Sequence, residues 1–331
     1  MTIVFSGVQP TGDLHIGNYF GAMKSFASTE IIEENSKSLF CVVDLHAMTL
    51  KHDPVALRQH TLDVTAAYLA IGLGHDSVIF AQSSVPQHTE MAWMLNCVAR
   101  MGWMERMVQF KDKGGEDKER ASVGLFTYPI LMAADILTYG ATHVPVGDDQ
   151  KQHLVLARDI AAKFNRDFDG ELTIPTAVHS NAPRIMSLID GTKKMSKSDP
   201  NANSRINLTD SADIIVKKVR KATADTQPFP EDLTGDLKPE VRNLITIFKA
   251  CTNATDEAVV REFGGKGYGT FKPALAEALV TEIEPIGKEM ARLRGDPAEL
   301  LKVLRGGAAS ASIYAEPTMA HVKERLGLLS F

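Results

Sequence analysis

The sequence is poor in cysteine and has neither a long apolar run nor an excess of basic charge. Its three cysteines, Cys41, Cys97 and Cys251, lie far apart and form no CxxC pair. This spacing argues against a disulfide framework or a zinc knuckle and indicates a reducing compartment. No apolar stretch is long enough to span a bilayer, and the N-terminus lacks the basic and apolar segments of a signal peptide. We therefore expect a soluble, cytoplasmic protein with no membrane partner.

The charge balance does not identify a partner. The chain has 36 basic and 41 acidic residues, a formal net charge of -5, so no global basic field indicates nucleic-acid binding, although a local basic patch would be enough for it. With 44% apolar and 23% charged residues, the composition is that of a globular protein. Its 331 residues exceed a typical single domain, so we expect two domains with an ample core.

Short apolar runs alternate with helical patterns in the first half of the chain. TIVFSG, LFCVVDL, SVIFAQ and THVPV predict buried strands, and segments between them predict helices, one opened by Pro54 after an Asp53 cap. This alternation implies right-handed crossovers and an α/β fold with a doubly wound, Rossmann-like parallel sheet. Ligands of such sheets bind beyond the carboxyl ends of the strands, where the segment TGDLHIGN (11–18) lies.

The pattern changes after GTKKMSKSDPNANS. From about residue 205 the strand signals fade, and helical patterns such as ADIIVKKVRKA and PEVRNLITIFKA dominate. We expect an α/β domain over 1–200, a second, helical domain over 201–290, and a C-terminal segment, 291–331, that packs back on the first domain. KDKGGEDKER (111–120) predicts a charged loop, and GGKGYG (264–269) predicts a turn between helices because no strand precedes it.

The turn HIGN places a polar, potentially cationic ring one residue before a helix start. Gly17 would let a flat ring approach the backbone, and free amides at the helix start would favour a phosphate, to which His15 could also donate. An anionic ligand is the resulting hypothesis. The alternative is a plain turn with a solvent-facing histidine.

A second cationic segment lies at KKMSKSDPN (193–201). Lys194 and Lys197 are three residues apart, between Gly191 and Pro200, in a stretch with little regular pattern. This arrangement predicts a mobile cationic arm suited to a polyphosphate. A solvated basic linker is the alternative interpretation.

Together the two segments resemble the HIGH and KMSKS signatures of class I aminoacyl-tRNA synthetases, the second letter for letter at 194–198. The closer resemblance, over essentially the whole chain, is to the bacterial tryptophanyl-tRNA synthetase family, through FSGVQPTG, QFKDK, YPILMAADIL, VPVGDDQKQH, RIMSL and KKMSKSDPN. Asn18 departs from the last position of HIGH, which this family tolerates. The resemblance implies ligation of L-tryptophan to tRNA(Trp) through an adenylate, with ATP and Mg²⁺, by a homodimer formed through the 93–120 region.

The resemblance also implies the nucleotide site. The residues expected to stabilise the transition state are His15, Lys113, Lys194 and Lys197. Those expected to bind ATP are Gln9, Pro10, Thr11, Gly17, Asn18, Gly147, Asp148, Asp149, Ile185, Lys194, Met195, Ser196, Lys197 and Ser198. The amino-acid carboxylate would attack the α-phosphate directly, so we expect no Ser or His nucleophile, and positioning and charge stabilisation should dominate.

Asp135 is the candidate specificity residue. It lies in the apolar run MAADILTY, where a carboxylate is costly unless it accepts a hydrogen bond. Neighbouring alanines leave room for a ring, and an indole N–H is a pure donor, whereas phenylalanine would leave the carboxylate unpaired. The alternative is a carboxylate satisfied by a neighbouring backbone group or lysine. By resemblance, the remaining tryptophan-site residues are Phe5, Met132, Val144 and Val146 around the indole, His46 beside it, and Tyr128, Gln150 and Gln9 at the ammonium.

Three other functions stay open. A tyrosyl-tRNA synthetase could use the same aspartate for a phenol, although Phe5 and the run GDDQ differ from that family's usual residues. A synthetase-like protein could bind nucleotide or RNA without charging tRNA. A different adenylate-forming or nucleotidyl-transfer enzyme would share the HIGN turn but lack an anticodon-binding domain. The basic run KKVRK (217–221) is either a track for tRNA phosphates or a solvated helix face.

Overall fold

A five-stranded parallel sheet organises the first half of the chain. The computed structural model describes residues 1–26, 36–107, 121–147, 150–179 and 182–329. The strands are β1 (Thr2–Val8), β2 (Ser36–Val42), β3 (Ser77–Ala81), β4 (His143–Val146) and β5 (Thr176–His179). They lie in the order β3-β2-β1-β4-β5, every neighbouring pair parallel. The doubly wound α/β sheet predicted from the sequence is confirmed. β5 was not predicted, because the four residues TAVH form too short a run to show an alternating pattern.

Helices cover both faces of the sheet and form the rest of the chain. The first helical stretch consists of α1 (Ile16–Asn18), a π-helical turn (Tyr19–Met23) and α2 (Lys24–Phe26). Before β5 the other helices are α3 (Asp44–Ala47), α4 (Pro54–Ala70), α5 (Gln87–Val98), α6 (Met101–Met104), α7 (Val123–Leu137) and α8 (Lys151–Phe168). After it come α9 (Ala212–Lys221), α10 (Pro239–Thr252), α11 (Asp256–Phe263), α12 (Tyr268–Arg294) and α13 (Pro297–Arg325).

Local signals account for several helix ends. The Asp53 carboxylate accepts a hydrogen bond from the Ala56 backbone N–H at 2.8 Å, so the predicted cap of α4 is confirmed. Residues 264–267 of the glycine-rich segment form a turn between α11 and α12, as predicted, whereas Tyr268 and Gly269 already belong to α12. Helix α5 lacks a side-chain cap, and its pattern did not predict a helix. Among the described residues, no helix is both long and apolar enough to cross a membrane.

Two apolar clusters pack on opposite faces of the sheet. Along β2, Leu39 and Cys41 join one cluster, whereas Phe40 and Val42 join the other, as the alternation of a strand buried on both faces requires. The cluster that holds Phe40 continues into α10 and α12, so the first helical stretch and the later helices share one core.

Helix α13 covers β3, one of the two edge strands of the sheet. At Gly307 the two backbones are so close that an added Cβ would lie 1.7 Å from the Ile79 carbonyl oxygen. Only glycine permits this approach. Covering an edge strand with a helix also blocks pairing with other chains.

Candidate active site

The sheet opens at the carboxyl ends of β1 and β4. β1 pairs with β2 as far as Val8 but with β4 only at Val4↔His143. Gly7 is consequently exposed, although it lies in the central strand. The strand order reverses between β1 and β4, and such a switch point is where doubly wound sheets bind ligands. Residues 9–18 follow β1 and Gly147 follows β4, so both sequence-predicted segments start at this opening.

The HIGN turn is closed by its own side chains. The His15 Nδ1 accepts from the Gly17 N–H at 3.1 Å, and the Asn18 side-chain oxygen accepts from the His15 N–H at 3.2 Å. The backbone N–H groups of Ile16 and Asn18 donate to the carbonyls of Ile206 and His15. The expectation of free amides is therefore wrong for Ile16, Gly17 and Asn18, because each of these donors already has a partner. The solvent-facing alternative is also wrong, because His15 is 4% exposed.

His15 is neutral at physiological pH. Burial and the nearby charges of Lys197, Arg205 and Lys194 lower the pKa of its imidazole to about 4. The ring described from the sequence as potentially cationic is therefore uncharged. Because Nδ1 accepts from Gly17, the proton of the neutral ring is on Nε2, which leaves His15 a hydrogen-bond donor.

Gly17 is required by the imidazole beside it. A Cβ at this position would lie 2.9 Å from both Nδ1 and Cε1 of His15 and 3.6 Å from the Cβ of Met195. The glycine thus gives the His15 ring room to cap the helix, and it brings the turn against the second signature.

The KMSKS segment is packed against the HIGN turn. Met195 is buried, and its N–H donates to the Ile185 carbonyl at 3.1 Å. The Lys197 ammonium donates to the Gly12 carbonyl at 3.3 Å, and burial lowers its pKa to about 8 despite the opposing attraction of Asp13. A solvated linker does not describe this segment, although Lys194 is exposed.

Asn243 fixes the backbone at Met186, the residue after Ile185, and was not predicted from the sequence. This buried side chain accepts from the Met186 N–H at 2.8 Å and donates to the Met186 carbonyl at 2.9 Å. An asparagine on the apolar face of the amphipathic pattern NLITIF was the signal that could have identified it.

Asp135 lies on α7 and is 1% exposed. Its Oδ1 accepts from the Gln82 amide and from the His88 Nδ1, both at 2.6 Å, and its Oδ2 accepts from the His46 Nε2 at 2.7 Å. The alternative partners, a backbone group or a lysine, are therefore wrong. Burial raises the pKa of this carboxyl, but the two imidazoles outweigh it and hold the pKa well below its usual range.

Three residues around Asp135, namely Gln82, His88 and Tyr139, were not identified from the sequence. Gln82 follows β3 directly, and its side-chain oxygen accepts from the Leu45 N–H at 3.1 Å. His88, on α5, makes a second contact, at 2.7 Å, between its Nε2 and the Tyr139 hydroxyl. A glutamine at the carboxyl end of a buried strand was the one available signal, because His88 lies among the polar residues of QHTE and Tyr139 follows the end of α7.

The remaining predicted residues lie on the elements and segments already described. Phe5, Val144 and Val146 are buried, Met132 is partly buried, and the Phe5 ring stacks on Tyr139 at 5.6 Å. The Tyr128 hydroxyl contacts the His153 Nε2 at 2.8 Å, and burial raises the pKa of this tyrosine to about 12. The strand-end and second-signature residues lie in the segments described above: Gln9, Pro10, Thr11, Gly147, Gln150, Ser196 and Ser198. Lys113, Asp148, Asp149 and the charged loop 111–120 lie outside the described residues.

The two signature segments meet at the switch point of a doubly wound sheet, which is typical of nucleotide-binding α/β proteins. Comparison with known proteins identifies the family within this class. The model of the family "tRNA synthetases class I (W and Y)" matches residues 1–283. The tryptophan–tRNA ligase of Brucella melitensis biotype 1 is 51% identical over 351 residues, covering 99% of this chain and 98% of the relative.

Solved structures agree. Tryptophanyl-tRNA synthetase from Mycoplasma pneumoniae superposes with a TM-score of 0.88 at 34% identity, covering 100% of this chain and 99% of that one. The Campylobacter jejuni enzyme complexed with ADP and tryptophan superposes with a TM-score of 0.80 at 34% identity, covering 99% and 100%. The chain belongs to the class I tRNA synthetases, in the tryptophanyl-tRNA synthetase family.

Proposed function

We propose that this chain catalyses the ATP-dependent ligation of L-tryptophan to tRNA(Trp). The observation that carries the proposal is the contact between the two signature segments at the switch point, where the Lys197 ammonium donates to the Gly12 carbonyl and Met195 lies beside Gly17. Cationic and donor groups from two distant segments thereby surround one opening, as activation of a nucleotide requires. The Campylobacter relative's complex with ADP and tryptophan supports both small-molecule ligands.

In the first step, an oxygen of the tryptophan carboxylate attacks the α-phosphorus of ATP in line. The bond from that phosphorus to the bridging oxygen breaks, pyrophosphate leaves with the electron pair, and tryptophanyl-adenylate remains. The neutral His15 would donate from Nε2 to the phosphate, and Lys194, Lys197 and Lys113 would balance the developing charge. In the second step, a hydroxyl of the tRNA 3′-terminal ribose takes the acyl group and AMP leaves.

Mg²⁺ would enter with ATP. No group of three His, Cys, Asp or Glu side chains in the described part of the chain could hold a metal. The residues fit a cation carried by the phosphates themselves, because Mg²⁺ is usually bound through substrate phosphates and few protein ligands. There it would neutralise phosphate charge that the lysines leave uncompensated.

The amino-acid site is proposed to recognise the indole through Asp135. The carboxylate is held ionised, and an indole N–H can only donate. Phe5, Met132, Val144 and Val146 would form the apolar walls, with His46 beside the ring. Tyr128, Gln150 and Gln9 would take the ammonium group.

The tRNA and a second subunit are the remaining proposed partners. In the helical part, proposed to bind the anticodon, Lys217, Arg220 and Lys221 are exposed, whereas Lys218 points inward to Asp210 at 2.5 Å. The homodimer is proposed through the region that begins near Trp93, whose side chain is 71% exposed, and runs to residue 120. The activity and the three free cysteines favour the cytoplasm.

The test is ATP–pyrophosphate exchange with tryptophan, tyrosine or phenylalanine. Exchange with tryptophan alone is expected, and Asp135→Ala should lower kcat/KM for tryptophan about 100-fold or more, because it removes the acceptor. Asp159→Ala, an exposed aspartate on α8, is the control and should leave exchange unchanged.

The other outcomes separate the alternatives. Exchange with tyrosine would keep the mechanism and overturn the proposed pocket. An absence of exchange with all three amino acids would refute the enzyme and leave a protein that binds nucleotide or RNA without charging tRNA.

A further inference from the structure

A buried chain of polar groups supports Asp135 from the side opposite His46. It runs from the Tyr139 hydroxyl through the His88 imidazole to Oδ1 of the carboxylate, with contacts of 2.7 and 2.6 Å. His88 and Gln82 are completely buried, and Tyr139 nearly so. Buried polar groups are costly unless each is satisfied, so the arrangement of donors and acceptors along this chain is strongly constrained.

The donors to the Asp135 carboxylate can be assigned. A carboxylate only accepts, so His88 donates from Nδ1, and its Nε2 is the ring nitrogen that pairs with the Tyr139 hydroxyl. Burial raises the pKa of Tyr139, which keeps that hydroxyl protonated. Gln82 is oriented in the same way, because its oxygen accepts from the Leu45 N–H while its amide nitrogen donates to Asp135.

The two carboxylate oxygens are used unequally. Oδ1 accepts two hydrogen bonds, from Gln82 and His88, which fill both of its lone-pair positions. Oδ2 accepts one, from His46, and keeps one position for a further donor. Both Gln82 and Asp44 are tied to the Leu45 N–H at the start of α3, the helix that carries His46.

We propose that His88 and Gln82 are positioning residues that fix the Asp135 carboxylate with Oδ2 aimed at the ring N–H of the amino-acid substrate. This inference rests on the proposed function. His88 and Gln82 touch no substrate: they act by saturating Oδ1 and preventing the carboxylate from rotating. Tyr139 supports them by orienting the His88 ring.

The test compares tryptophan with 3-(benzothiophen-3-yl)alanine, which has sulfur in place of the indole N–H and nearly the same shape. The measured quantity is kcat/KM for tryptophan divided by kcat/KM for the analogue, both in pyrophosphate exchange. His88→Leu and Gln82→Met each remove one donor to Oδ1, and each should lower this ratio about tenfold or more. Tyr139→Phe should lower it about two- to threefold, because it only frees the His88 ring.

Two controls separate positioning from general damage. His88→Asn places an amide donor near the original Nδ1 and should retain most of the ratio. Phe80→Leu alters the apolar packing around the same rings, at 5.9 Å from His88 and 5.8 Å from Tyr139, without removing a hydrogen bond. It should lower kcat/KM equally for both amino acids.

The failures are distinguishable. If wild-type protein shows no exchange with tryptophan, the proposed function fails. If wild-type exchanges with tryptophan but a folded His88→Leu or Gln82→Met variant keeps the wild-type ratio, the positioning role is overturned. If His88→Leu does not fold, Gln82→Met and Tyr139→Phe decide the outcome by the same ratio.

Discussion

Two adjacent glycines of α13 should respond in opposite directions to the same substitution. A Cβ at Gly307 would lie 1.7 Å from the Ile79 carbonyl oxygen and 2.7 Å from its carbon, whereas a Cβ at Gly306 meets no atom within 4 Å. A carbon–oxygen contact needs about 3.3 Å, so Gly307→Ala leaves a shortfall of about 1.6 Å. A backbone carbonyl in a strand cannot rotate away, so α13 must move off β3.

The change in the free energy of unfolding expected for Gly307→Ala is the difference between two opposing contributions. Overpacking costs about 3 kcal/mol at the upper end of its usual range, which fits a clash with backbone. Alanine returns about 1 kcal/mol through its higher helix propensity. Gly307→Ala should therefore destabilise the protein by about 2 kcal/mol, whereas Gly306→Ala should stabilise it by about 0.5 to 1 kcal/mol.

Urea unfolding followed by circular dichroism measures both variants against wild type. The two midpoints should fall on opposite sides of the wild-type value, with a difference of about 3 kcal/mol in the free energy of unfolding between the variants. Equal midpoints for Gly306→Ala and Gly307→Ala would refute the close docking of α13 on the sheet edge.

Three further predictions concern the HIGN segment and its neighbours. Gly17→Ala should lower kcat/KM for pyrophosphate exchange about tenfold or more, because the added Cβ displaces the His15 ring from its capping position. In wild type, kcat/KM for ATP should fall as the pH rises through about 8, because the Lys197 ammonium loses its proton and its charge there; a profile of exchange against pH measures this. Glu282→Gln should lower the free energy of unfolding by about 1 kcal/mol in urea, because Glu282 accepts from the Tyr19 hydroxyl and the Lys24 ammonium at 2.7 Å and so joins the first helical stretch to α12.

Each of these three predictions has a matched control variant at the same position or close to it in the chain. Gly21→Ala should be tolerated, because its Cβ would come no closer than 3.8 Å to the Pro183 oxygen. Lys197→Arg should move the alkaline fall to higher pH, and an unshifted profile would exclude Lys197 as its origin. Glu284→Gln removes only an exposed pair with Lys288 and should change stability by less than about 0.5 kcal/mol. A loss equal to that of Glu282→Gln would contradict the special role of the link to α2.

Much of the fold was predictable because it depends on local patterns. Continuous apolar strands, helical periodicity and the Asp53–Pro54 cap each act within a few residues, so they can be read along the chain. The two signatures and Asp135 were recognisable for the same reason. The domain boundaries and the assignment of residues to ATP and tryptophan stay predictions.

The tertiary structure decided what depends on partners distant in sequence. The charge of His15 depends on burial and on lysines about 180 residues away, so its type alone suggested a cation where the fold makes a neutral donor. The partners of Asp135 come from α3, α5 and the end of β3, and no local pattern announces that these three will converge. Sequence patterns determine where strands and helices form, because those forces act between near neighbours. Protonation, hydrogen-bond partners and close approaches such as Gly307 on Ile79 depend on which surfaces the packed chain brings into contact.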